Sequence, residues 1–284
     1  MGTRSNTTYA TVPTQYITAA NGITFAYRRL GERQEVPIIY FNHLTANLDN
    51  CDPRIMDGMA AHHEIISFDY RGVGSTSGRD SKSIQDMARD VVAFIKALGF
   101  SKVDILSFSM GGFIAQELMT MEPMLVRRLI LAGTGPRGGK GISEVAGMTW
   151  RDILRATLTL RDPKFYLFFN WSASGRNAAR QFLARLKERK QDRDPAVQIR
   201  SLRAQLNAIK VWGREQPADL SVFTQPVLVM NGDNDRMVPT PNSYDLAKRF
   251  PNAKLHIYAD AAHGAIFQHH DDFVERALVF FAGR

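Results

Sequence analysis

A chain of 284 residues exceeds the length of a typical domain, about 150 residues, but suits one large α/β domain, and 44% hydrophobic with 10% aromatic residues excludes global disorder. The single cysteine, Cys51, excludes an intrachain disulfide or a cysteine-based zinc cluster, and without an apolar run of about 18 residues or a leader-like N-terminus the expectation is a soluble, cytoplasmic protein with no membrane partner. The net charge of +8 is uneven, because 137–214 carries 17 Lys and Arg against 6 Asp and Glu, and no zinc-finger, basic-zipper or RNA-recognition pattern accompanies it to suggest nucleic acid.

Extended runs at 13–19, 22–28, 37–41, 64–68, 103–107 and 127–132 read as strands. Several, such as Pro37-Ile38-Ile39-Tyr40-Phe41, are continuously apolar, as strands buried on both faces are. Between them the clearest helix pattern is 83–98, with Ile84, Met87, Val91, Ile95 and Leu98 on one stripe and Gly99 as the stop. This alternation predicts a parallel sheet with crossover helices on both sides. From about 140 to 214 the rhythm changes to helix-like runs, including 176–190 and 196–210. Strand–helix alternation then resumes, with strands at 227–231 and 254–258 and helices near 241–249 and 272–282. The expected organisation is a core of 1–137 and 215–284, interrupted after the sixth strand by a helical cap at 138–214.

Three segments carry chemistry. Ile105-Leu106-Ser107-Phe108-Ser109-Met110-Gly111-Gly112-Phe113 runs from an apolar strand through a turn of small residues into a helix. Such a turn holds a serine hydroxyl above the sheet edge, beside a helix N-terminus that favours developing negative charge. Pro226 to Asn231 is a strand followed by an acidic loop containing Asp233 and Asp235, and the carboxyl ends of strands are where open α/β sheets place functional groups. Strand 254–258 leads through Asp260 to His263, set among Ala261, Ala262 and Gly264. Ser109, Asp235, His263 is therefore a Ser…Asp…His order, each residue just beyond a strand.

These segments, with Asp69-Tyr70-Arg71-Gly72-Val73-Gly74-Ser75-Thr76 and Gly232-x-x-Asp235-x-x-x-Pro239, resemble the α/β-hydrolase fold family over 14–137 and 215–284. The similarity is to its capped esterase-like branch, described as pimeloyl-carrier-protein methyl esterase-like or non-heme haloperoxidase-like. It implies a mostly parallel eight-stranded sheet and a catalytic set of Ser109, Asp235 and His263. It also implies an oxyanion hole from the backbone N–H groups of Leu44 and Met110. Two positions depart from the family pattern: Ser107 replaces a glycine, and Asn42-His43-Leu44 stands where His-Gly-x is usual. A serine at the turn separates the chain from members with an aspartate nucleophile, the haloalkane dehalogenases and epoxide hydrolases.

The expected activity is cleavage of a small to medium acyl ester or thioester through an acyl-enzyme, without cofactor or metal. The alternatives are C–C bond hydrolysis, acyl transfer, or ligand binding without turnover. Trp150, Phe168, Phe169 and Trp171 are candidates for an apolar acyl pocket, although core packing explains them equally. The basic run from Arg176 to Arg193 either solvates a helix face or attracts a substrate linked to an acidic carrier or to coenzyme A. Substrate identity and oligomeric state are not legible.

Overall fold

The computed structural model describes residues 7–283. Its eight strands are β1 (Gln15–Thr18), β2 (Thr24–Leu30), β3 (Ile38–Phe41), β4 (Ile65–Phe68), β5 (Val103–Phe108), β6 (Val126–Ala132), β7 (Val227–Gly232) and β8 (Ala253–Tyr258). They form one sheet in the order β1-β2-β4-β3-β5-β6-β7-β8. Only the pairings of β2, with β1 and with β4, are antiparallel. Every residue of β3, β5 and β7 is buried, which requires layers on both faces and explains their largely apolar sequences. Because β3, β5, β6, β7 and β8 run parallel, the turns that follow them gather along one edge of the sheet.

The helices are α1 (Pro53–Ala60), α2 (Ile84–Ala97), α3 (Met110–Met121), α4 (Val145–Leu158), α5 (Lys164–Leu167), α6 (Ala173–Arg185), α7 (Ile199–Trp212), α8 (Pro241–Arg249), α9 (Ala265–Gln268) and α10 (His270–Phe281). Ser83 caps α2 by accepting the Asp86 N–H at 3.0 Å, and Gly99 closes it at φ +85°. The run expected as one helix over 176–190 is instead α6, capped by Ser172 and ending at Arg185. Beyond it the chain turns back, and Arg189 donates to the Val12 carbonyl at 2.8 Å. The strand expected at 22–28 starts two residues later, because Gly22, at φ +79°, completes the turn out of β1.

Helices α4 to α7 lie between β6 and β7 in sequence and are strapped to the sheet layers by polar contacts. Arg185 reaches Asp52, the cap of α1, with contacts of 2.6–3.1 Å, and also donates to the Phe267 carbonyl at 2.9 Å. Trp212 packs against Phe113 of α3 with ring centroids 4.4 Å apart and donates its indole N–H to buried Glu117 at 2.7 Å. Arg236, beyond β7, pairs with Asp152 of α4.

The Asp52 carboxylate is fully buried, so removing its partner strands a charge. Arg185→Ala should cost about 3–5 kcal/mol in equilibrium urea unfolding. Loss of the exposed Arg54–Glu188 pair should cost under about 1 kcal/mol. Equal effects of the two would contradict the strap.

Candidate active site

Ser109 sits between β5 and α3 at φ +56°, ψ −120°, a conformation non-glycine residues rarely adopt. Close approach enforces it. A Cβ on Gly111 would lie 2.2 Å from the Phe41 carbonyl oxygen, and one on Gly112 2.5 Å from the Thr134 side chain. Ser107, in place of a glycine, is fully buried and donates its hydroxyl to the Ile130 carbonyl at 2.6 Å. Its methylene fits, and its polar atom is satisfied.

His263 follows β8 and is buried, with its ring 4.9 Å from Phe108 and 5.5 Å from Phe168. Its Nε2 lies 2.9 Å from Ser109 Oγ and its Nδ1 2.8 Å from Asp235 Oδ2. A carboxylate only accepts, so Nδ1 carries the proton and Nε2 is left to accept from the serine hydroxyl. Asp235 is held in turn, because its Oδ1 accepts the Met237 and Val238 N–H groups at 2.8 and 3.0 Å. The rival acids lie elsewhere. Asp233 accepts the N–H groups of Asp260 and Ala261 at 3.1 and 3.2 Å, bracing the loop that carries His263. Asp260 bonds Asn170 at 2.8 Å and also Ser174.

The Asn42-His43-Leu44 segment follows β3, next to β5 in the sheet. Asn42 accepts the His43 N–H at 2.9 Å, and the left-handed residue is Thr45, at φ +58°, so no glycine is needed at 43. Gln205 of α7 accepts the Thr45 N–H at 2.7 Å. Among the described residues, neither the Leu44 nor the Met110 N–H enters a backbone hydrogen bond. His43 donates from Nδ1 to the Leu44 carbonyl at 2.7 Å, and its Nε2 is buried without a partner. Burial, with the Lys164 charge nearby, pushes its pKa down to about 3, so it stays neutral. The Cys51 thiol is pushed up to about 12, chiefly by burial, which leaves it a poor nucleophile.

Ser109 and His263 open into a cavity of about 530 Å³. Phe168 forms part of its wall, together with Thr149, Ile153, Lys164, Leu167, Leu202 and Met237. The other three aromatics expected there do not line it. Trp150 is 39% exposed and Trp171 44% exposed, the latter stacked under Arg155 with the guanidinium 4.2 Å from its ring. Phe169 is buried against Phe182 at 5.7 Å. Lys164, only 19% exposed, was not anticipated; its short helix gives no periodic signal. Thr149 and Ile153, one turn apart on α4, were legible only as a weak polar-apolar stripe. Among the described residues, no group of three or more His, Cys, Asp or Glu is placed to hold a metal ion, and no helix is long and apolar enough to cross a membrane.

A family model described as "alpha/beta hydrolase fold" matches residues 36–270. A solved alpha/beta hydrolase fold protein from Chitinophaga pinensis is 38% identical, with a TM-score of 0.90 over 97% of this chain and 99% of that one. A 2-hydroxy-6-oxo-6-(2'-aminophenyl)hexa-2,4-dienoic acid hydrolase of Metapseudomonas resinovorans is 25% identical over 93% of this chain and 90% of its own. A pimeloyl-[acyl-carrier protein] methyl ester esterase of Aliivibrio fischeri is 24% identical over 78% and 84%.

The neutral His43 has a measurable consequence. Its pKa is about 3 in the fold and about 6.5 in the unfolded chain, so between those values the unfolded state binds the extra proton. Its effect is absent above pH 6.5, and stability falls as pH drops from 6.5 toward 3, by up to about 1.4 kcal/mol per unit. His43→Gln should flatten that part of the acid limb in urea midpoints taken from pH 7 to 4. Parallel curves for the two proteins would contradict a buried neutral imidazole.

Proposed function

The chain belongs to the alpha/beta-hydrolase fold family and is a hydrolase, and from that premise we propose that it cleaves a carboxylic ester or thioester of a small to medium acyl substrate, with Ser109 as nucleophile. The observation that carries this reading is the unbroken Ser109–His263–Asp235 hydrogen-bond chain, at 2.9 and 2.8 Å, facing the cavity. In the proposed reaction Ser109 Oγ attacks the carbonyl while His263 Nε2 takes its proton, and Asp235 fixes the imidazole and stabilises its charged form. The Leu44 and Met110 N–H groups receive the oxyanion. His263 then protonates the leaving group, and water, deprotonated by the same imidazole, releases the acid. Residues 138–214 act as the cap, supplying the cavity wall from α4, α5 and α7, over a core of 1–137 and 215–284.

The Metapseudomonas relative, named for a dienoic acid substrate, favours a second reading, C–C bond hydrolysis at the same serine. Lys164 in the cavity wall suits a substrate carboxylate there. Assaying esters, thioesters and dienones side by side separates the two.

Ser109→Ala should lower turnover of p-nitrophenyl butyrate by about 10⁴ or more in a folded protein, and a fluorophosphonate should label Ser109 alone. Asp235→Asn should lose about 10⁴ through the wrong imidazole tautomer. Asp233→Asn and Asp260→Asn should stay within about tenfold of wild type, because neither acid touches the imidazole. Wild-type turnover by folded Ser109→Ala would sink the reading.

A further inference from the structure

A second concavity, of about 690 Å³, adjoins the reaction cavity and shares Asp49, Asn50, Asp162, Lys164 and Arg193 with it. Its lining holds six basic side chains against two carboxylates. Arg180 stands on the same face of α6 as Leu183 and Ala184, and Lys187 and Lys190 follow in the turns beyond. Arg161, Lys164 and Phe165 come from the segment at the start of α5.

Both carboxylates are already engaged. Asp49 lies 2.9 Å from buried Arg28 and 3.1 Å from Arg193. Asp162 accepts the Lys164 N–H at 2.8 Å and lies 3.6 Å from its ammonium. Arg161, Arg180, Lys187 and Lys190 make no ion pair among the described residues, and Arg161 lies over the Phe165 ring at 4.5 Å. Unpaired cations around one concave face repel one another and focus a positive potential. One carboxylate would neutralise a fraction of it, whereas two or more phosphates could each take charge-assisted hydrogen bonds. Leu183 offers apolar surface between the charges.

We propose that this groove binds the remote end of the substrate, a tail bearing two or more phosphates of the kind found in coenzyme A, while the scissile carbonyl lies at Ser109. The proposal rests on the serine-hydrolase reading and names its substrate class, a phosphate-bearing thioester. The C–S bond breaks as the Ser109 Oγ–acyl bond forms, and the serine proton passes through His263 to the leaving sulfur. Water then cleaves the acyl ester, giving the free acid.

Binding and turnover test it separately. Inorganic pyrophosphate titrated calorimetrically into Ser109→Ala protein should bind saturably, and at least tenfold more weakly when Arg180→Ala, Lys187→Ala and Lys190→Ala are added. In the Ser109 protein the same triple change should lower kcat/KM for butyryl-coenzyme A at least tenfold, mostly through KM. It should leave butyryl-N-acetylcysteamine, which lacks the phosphates, within about twofold, since none of the three residues lines the reaction cavity. No pyrophosphate binding, or an equal loss on both thioesters, overturns the proposal. So does a preference for the same acyl group on an acidic carrier protein with no discrimination between the two small thioesters. Pyrophosphate binding that the triple change abolishes, with p-nitrophenyl butyrate hydrolysed but neither thioester turned over, overturns the thioester substrate; with no ester or thioester turned over at all, it upholds the groove as a phosphate site and tells instead against the serine-hydrolase reading.

Discussion

The close crossing of α3 over the carboxyl end of β3 is the constraint on which the rest depends. Gly111 lies so near the Phe41 carbonyl that a methyl group there would overlap it, and that approach forces the chain through a left-handed serine at 109. A residue held there costs on the order of 1–3 kcal/mol. The fold offsets the strain with buried packing along β5 and residues 110–119 of α3, where about 25 cal/mol is gained for each Å² of apolar surface removed from water. The same crossing sets the Met110 N–H beside the end of β3, where Leu44 follows. The conformation of Ser109 and the placing of Met110 beside the loop after β3 are thus consequences of one steric fact.

Asp235 and His263 follow strands farther along the sheet, and their placement needs more than strand order. Asp233 braces the histidine loop through two backbone N–H groups, while Asp235, two residues on, spends one oxygen on its own turn and the other on the imidazole. The helical segment finishes the enclosure. Phe168 lies against the imidazole, and Gln205 fixes the turn that carries Leu44 by holding the Thr45 amide.

Much of this was legible in the residues. The strands buried on both faces, β3, β4, β5 and β7, follow from largely apolar runs, because a polar side chain there needs a buried partner, while β1, with alternate residues exposed, follows from its alternation. The order of Ser109, Asp235 and His263 along the chain was readable for a related reason, since each stands just past such a run. The cavity wall was not. On α4 the large apolar residues Trp150, Leu154 and Leu158 face outward, while Thr149 and Ile153 face the cavity, so hydrophobic periodicity points to the wrong side. Trp171 was misplaced because a guanidinium can shelter an indole without burying it. At Asn42-His43-Leu44 the family's usual glycine is missing. The positive φ falls at Thr45 instead, which no residue-type rule would have selected.

The hydrogen bond from the Gly264 N–H to the Phe168 carbonyl, 2.7 Å long, bears on how the helical segment could be replaced. It joins residue 168 to the peptide next to His263, where a Cβ on Gly264 would come within 2.9 Å of Phe168. A graft that exchanged 138–214 for helices from another protein would therefore have to restore a backbone carbonyl and an aromatic ring at this one point, or the imidazole would lose a wall. This contact makes residue 168, in structural terms, part of the core.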